Sequence, residues 1–466
     1  MPKPNLRTRL SVLSIAGVAL LAAPVSASGG QTAETVTFTR DIAPILQRSC
    51  QSCHRPNSVA PMSLITYEEV RPWARSIKNR TGLRDRMGVM PPWFIEKDIG
   101  IQDYKDDISL SDAEIEAIAA WVDSGAVHGN PADMPPPRLF AAADEWAIGE
   151  PDLIVETPSI SLGAQAPDWW GSLAPAPSGM TEDRYVAALQ IKEVSDVEGA
   201  LGGRFIFHHA VWTTVDADGN PSRYASWPIH EVGRNADFFD PLAGPLLRAG
   251  DQLFFNSVHM HANGEDTTAS LQVGFKFHPK DYEPQRQNLP LIFGTSDIDL
   301  RGMEAGQEVH FYHTLQQHTK LSTFEPHMHA AGVRMCLESI WAGRAETLSC
   351  AGYDHNWVKV YKYEDDVVPL LPKGTLLHVT AYFDNTPSNR NVIDPRNWSG
   401  VGHRSIDNMA VLIAPGVALT EEEFQEEIRL RREQLQLAKG ETVLGCPLCG
   451  FEELPATFTA QAGAQD

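Results

Sequence analysis

Two textures of apolar spacing divide the chain. Between about 36 and 130, apolar residues recur at helical spacing, and helices are expected over 41–48, 67–79 and 111–124. Ser111, with Glu114 three residues on, forms a capping pair for the last of these. A proline-rich run, Asn130-Pro131-Ala132-Asp133-Met134-Pro135-Pro136-Pro137, closes the unit. Beyond it the pattern shifts to short β-rich runs, with strands expected over 185–191, 204–215, 252–261 and 270–277. The same texture resumes over 308–315, 321–329, 334–341, 375–384 and 408–413. Turn signals such as Asp218-Gly219-Asn220-Pro221 and Asn263-Gly264 punctuate these runs. A final helix is expected from its cap at Thr420, paired with Glu423, to about 437, before Gly440. The expected fold class is a multidomain chain, a small all-α domain followed by two all-β, jelly-roll-like sandwiches. Its boundaries are 36–130 for the helical domain, 131–137 for the linker, 138–292 and 293–416 for the sandwiches, and 417–466 for the helix and tail.

Length and composition agree with several packed cores: 466 residues, 42% hydrophobic and 21% charged. The formal net charge of −22 argues against nucleic acid and anionic membrane surfaces as partners. Residues 1–27 read as an export signal. Lys3, Arg7 and Arg9 give a positive start, 10–23 is an apolar run too short for an ordinary spanning helix, and Val25-Ser26-Ala27 offers small residues for cleavage. The mature chain is therefore expected to be periplasmic or secreted, without membrane insertion, where disulfides can form.

Cys50-Gln51-Ser52-Cys53-His54 has the CxxCH spacing of covalent haem attachment: two thiols for the vinyl groups and an adjacent histidine for the iron. A redox CxxC and a zinc half-site share part of this pattern. Export and a downstream methionine favour one haem c. Met90, in Val89-Met90-Pro91-Pro92-Trp93, is the expected sixth ligand on a proline-stiffened loop, with Met62 and Met87 as competitors. The helical unit thus reads as a small all-α cytochrome c domain.

Sixteen histidines cluster mostly in the β-rich part. HMHA occurs twice, carrying His259 with His261 and His327 with His329. Residues i and i+2 of a strand share a face, so such a pair can hold one metal. Pro326 is expected to help end its strand, leaving the second pair at an open rim. Two imidazoles with a thioether from elsewhere would suit copper, Cu(I) above all. His208 and His209 are adjacent, so both reach one metal only at a bulge or a strand end. His259 or His261 could add the third nitrogen. Hydrogen-bonded surface histidines are the competing reading.

In these residues the chain resembles the copper type II, ascorbate-dependent monooxygenases, the group of peptidylglycine α-hydroxylating monooxygenase and dopamine β-monooxygenase. More closely, it looks like bacterial fusions of a cytochrome c domain to that core. The resemblance is carried by FTRDIAPIL over 38–46, the CxxCH, Met90 to Trp93, His208-His209, His259 with Asn263-Gly264, Pro326-His327-Met328-His329, and Met409. It implies two copper ions, one per sandwich, facing each other across a solvent-filled cleft. One would be held by His208, His209 and His259, and the other, where O2 binds, by His327, His329 and Met409. His261 is then not a primary ligand, and the two HMHA copies are not equivalent. Three positions depart from the peptide-amidating pattern: Glu325, Val411 and Ile413 stand where that enzyme has its carboxylate-clamping arginine, an asparagine and a tyrosine. A glycine-extended peptide is thus an unexpected substrate, and Glu325 would either favour a cationic substrate or form a solvated rim. Met260 replaces the usual tyrosine after the third histidine.

The expected function is a monooxygenase that hydroxylates a small organic substrate with O2, its electrons coming through the haem from ascorbate or a periplasmic redox protein. The alternative is a non-catalytic electron-transfer or copper-binding protein. Cys336 and Cys350 flank an expected hairpin at Ala342-Gly343 and should bridge it, although four cysteines allow three pairings. Cys446 and Cys449 are expected to form a plain disulfide, since no second pair is free to complete a zinc site.

Overall fold

The computed structural model describes residues 35–451, apart from 57, 59, 141–144, 198–204, 223–226, 232–233 and 235. The export signal expected over 1–27, Arg204 at the start of one expected strand, and the end of the tail lie outside the described residues.

Four helices build the first part: α1 (Ala43–Ser49), α2 (Tyr67–Val70), α3 (Ala74–Thr81) and α4 (Asp112–Asp123). Pro72 has no N–H to continue an α-helix, so the expected helix over 67–79 is broken by a tighter turn at Arg71–Trp73. Thr66 and Ser111 form reciprocal capping boxes with Glu69 and Glu114. Phe38, Ile42, Leu46, Ile77, Ile118 and Trp121 pack together between these helices.

The strands that position the site are, in chain order, β1 (Ile95–Gly100), β2 (Arg184–Ser195), β3 (Phe207–Val215), β4 (His230–Glu231), β5 (Gln252–Met260), β6 (Thr267–Phe277), β7 (Glu304–Thr314), β8 (Thr323–Met328), β9 (Gly332–Trp341), β10 (Arg344–Gly352), β11 (Leu376–Asn385) and β12 (Ala410–Ile413). All pair antiparallel. One sheet is built on β2 and β6, and a second on β5, β3 and β4. Leu189, Val273 and Phe275 of the first meet Trp212, Leu253 and Phe255 of the second in one core. Another sheet runs β1-β10-β9-β11-β7. Its Leu337, Val379 and Phe383 share a larger core with Phe324 of β8 and Leu412 of β12, which pair with each other.

The expected small all-α domain over 36–130 is not present; the chain is mostly antiparallel β, and this segment is joined into it. β1 pairs with β10, Ile95 opposite Ala351 and Gly100 opposite Ser349. Trp93, Phe94, Ile95 and Tyr104 belong to the same core as Phe324 and Tyr361. Tyr104 and Ser349 share a hydrogen bond of 2.8 Å, and the carboxylate of Glu96 pairs with the Arg334 guanidinium. The physical reason is burial. The apolar residues after Met90 have too few helical partners to cover them, and the edge of a neighbouring sheet supplies the missing surface.

Both disulfides form. Cys336 and Cys350 stand directly opposite on β9 and β10, and Cys446–Cys449 lies under the last helix, α5 (Glu421–Gln434), in a small core with Phe424 and Ile428. Among the described residues no helix is long and apolar enough to cross a membrane.

Candidate metal centre

Register explains how two adjacent histidines reach one point. On β5, His259 stands opposite His209 of β3, but the next pair is Met260 with Phe207. His208 is the extra residue of a bulge, which breaks strict alternation and lets both rings turn to one side. Their Nδ1 atoms lie 3.2 Å apart, and one ring nitrogen from each of His208, His209 and His259 falls within 4.8 Å of the others. Met260 points the opposite way into the core, fully buried.

The outer face of His259 is fixed. Its Nε2 donates to Asp168 Oδ2 at 3.2 Å, and the Trp170 indole stacks on it at 4.7 Å and 3°. That leaves its Nδ1 buried without a hydrogen-bond partner. His261 turns its Nδ1 to the Ala262 carbonyl at 3.3 Å and is not one of the three.

His327 and His329 sit at the end of β8. The expected rim is corrected: Pro326 lies inside the strand, opposite Leu412, and both histidines are buried. β8 tolerates proline there because its other neighbour, Tyr361–Lys362, pairs only with Thr323 and Phe324, so no ladder bond is lost on that side. His329 Nδ1 donates to the Asp407 carbonyl at 3.1 Å, which leaves Nε2 to face inward. His327 Nδ1 is buried and unpartnered, 4.0 Å from Glu231 Oε1. Met328 pairs with Ala410, so the half-buried Met409 lies one step further along, level with His329.

No wide solvent gap separates the two sets. The rings of His209 and His327 approach to 6.4 Å between centroids. His355, which sequence reasoning missed, stands 5.9 Å from His208 and 5.6 Å from His329. Burial is the first cause holding these rings neutral, and neighbouring imidazoles add to it. His208 and His329 are pushed to about 3 and His327 to about 4; His209 lies well below the ordinary value. Neutral imidazoles, buried and converging, are the donor set a borderline-soft cation requires, and copper fits it.

Glu325 is neither a rim residue nor free to meet a cation. It is buried, and Arg234 Nη1 donates to both its oxygens at 3.4 Å while also pairing with Asp237. Burial works against the Arg234 charge, and Asp237 and Glu325 more than offset it. Glu231, opposite His209 on β4, has neither carboxylate oxygen hydrogen-bonded. Burial, then repulsion from Glu325, raises its pKa well above the usual range.

The CxxCH follows α1. Cys50 and Cys53 are unbridged, unlike the equally spaced Cys446 and Cys449. Burial, then Cys53, pushes the Cys50 thiol up to about 12, the reverse of an activated redox thiolate. His54 Nδ1 donates to the Met62 carbonyl at 3.2 Å, which fixes the tautomer and frees Nε2 for a metal. These groups fit a covalent haem. Of the candidate sixth ligands, the Met62 side chain packs on the helical core, the Met87 sulfur accepts from Asn391 Nδ2 at 3.6 Å, and Met90 is 39% exposed. Cys53 lines a cleft of about 1080 Å³ whose lining also includes Glu231, Glu325 and Lys359.

Sequence reasoning also missed Asp168 and Trp170, which hold and cover His259, and Glu231, which lies 4.0 Å from His327. Neither a protein-family model nor a curated protein matches the chain.

Proposed function

We propose that the chain is an exported haem- and copper-dependent monooxygenase, hydroxylating a C–H bond of a small organic substrate with O2. The observation that carries this reading is the convergence of two neutral, buried histidine sets, whose nearest rings lie 6.4 Å apart. His208, His209 and His259 would hold one copper, and His327, His329 and Met409 the other. Copper bound there supplies one-electron chemistry toward O2, and a thioether at the second set favours Cu(I). The chain's own groups prepare the site. Asp168 and the Asp407 carbonyl orient His259 and His329, and the Trp170 face shields His259 from water. Glu325, locked to Arg234, is withdrawn from substrate recognition, which argues against a cationic substrate held by that carboxylate.

Haem c would be attached at Cys50 and Cys53 and ligated by His54 and Met90. The cleft shared by Cys53 and Glu231 supports electron entry through it, because Glu231 also backs His327. The donor would be ascorbate or a periplasmic redox protein. Metal analysis tests the reading: two coppers and one haem per chain, with O2 uptake under reductant, are expected. The same metals without O2 uptake would favour the non-catalytic electron-transfer alternative. Met409→Ala should abolish turnover and leave the haem absorption spectrum unchanged; full activity in that variant would remove the assignment.

A further inference from the structure

We infer that His355 is a further metal ligand, standing between the two histidine sets. The inference rests on the copper reading of the chamber and adds a donor that neither spacing nor resemblance supplied. Its first support is position. The ring neighbours both sets, 5.9 Å from His208 and 5.6 Å from His329. Its second is hydrogen bonding. Among the described residues, both ring nitrogens are buried without a hydrogen-bond partner. A neutral imidazole carries one N–H and one lone pair, and leaving either unmet in a buried place is unfavourable. The Met328 carbonyl, which also accepts from the Tyr353 hydroxyl, lies near enough to favour the protonated ring but meets hydrogen-bond geometry at neither nitrogen. Two of the other chamber histidines differ. His259 is anchored through Nε2 on Asp168 and His329 through Nδ1 on Asp407, so each presents one nitrogen. His355 presents two.

The third support is rigidity. His355 rides on a turn clamped on both sides. Tyr353 N–H donates to Val333 O at 2.8 Å, Trp357 N–H to Asp354 O at 2.9 Å, and Asn356 N–H to Asp354 Oδ1 at 3.0 Å. The other Asp354 oxygen accepts from Gly88 N–H at 2.9 Å. A side chain carried on a backbone turn held this firmly, with its polar atoms unmet, is a preformed donor. Binding through one nitrogen needs only the neutral ring; binding through both would release the N–H proton to solvent.

The test uses the full haem-loaded chain, with copper itself as probe. Copper affinity is measured by equilibrium dialysis, and the number of imidazoles per copper by X-ray absorption, in the unsubstituted chain, His355→Ala and the control His261→Ala. His355→Ala should weaken binding of at least one copper by roughly tenfold or more and lower the imidazole count, by analogy with supporting groups worth 10–100-fold. Free imidazole should restore both, because the truncated site leaves room for it. His261→Ala should match the unsubstituted chain. Unchanged affinity and imidazole count in His355→Ala would overturn the inference. So would a loss that free imidazole does not restore, accompanied by a lower melting temperature, since that marks a packing role. Failure of the unsubstituted chain to bind copper would instead sink the copper reading itself, and it is seen before any substitution is made.

Discussion

Asp168 shows how much of the centre depends on single side chains outside the ligand set. It holds the far nitrogen of His259 and so decides which nitrogen faces His208 and His209. Asp168→Ala should weaken copper binding at the three-histidine set by roughly 10–100-fold. Binding at His327 and His329 should be unaffected, and a copper titration followed by electron paramagnetic resonance separates the two. At this scale the sequence was legible where chemistry repeats. His208-His209 and the two HxH pairs stand out because donors crowd a few positions. Asp168 was not legible, because it lies 91 residues from the histidine it orients and one aspartate among many carries no signal. His355 was hidden for the same reason, a lone histidine in a turn between two strands. The departure at Glu325 was visible, but its meaning was not, since that depended on Arg234 folding onto it.

Among elements, the long β-rich strands were read close to their true extent. The run expected over 334–341 is Gly332–Trp341, and that over 308–315 is Glu304–Thr314. Capping pairs located the starts of α4 and α5. β1 was missed because Ile-Glu-Lys-Asp-Ile-Gly buries little beyond its first residue and has an irregular register against β10. Its end depends on glycine. Gly100 has φ +71°, and a Cβ there would strike the Leu348 carbonyl. Gly100→Ala should therefore destabilise the fold by about 1–3 kcal/mol. A lowered denaturant midpoint checks this, and an unchanged midpoint would mean that β1 adds nothing to the sheet.

For the whole molecule, the neutral chamber makes stability depend on pH when metal is removed. His208, His327 and His329 titrate near 3 to 4 when folded, against about 6.5 in the unfolded chain. Between those limits the unfolded chain binds more protons than the folded one, so stability must fall as pH drops from about 6.5 toward 3. Melting temperatures of the metal-free chain across that window should decline steadily. Copper should flatten the decline by binding only the folded, deprotonated rings.

Gly352 gives the join between β10 and the CxxCH segment a tight seam: the Asp85 carbonyl occupies the space a Cβ would fill, and Gly352 N–H donates to Phe94 O at 2.9 Å. A protease that nicks the linker at the exposed Pro136 and Pro137 should therefore produce two fragments that still migrate together on a sizing column. Calorimetry of the intact chain should record one endotherm rather than an early, separate step for the CxxCH segment. The CxxCH segment is inlaid in the body that carries the histidine sets, and it cannot be detached as a folded module without tearing a sheet.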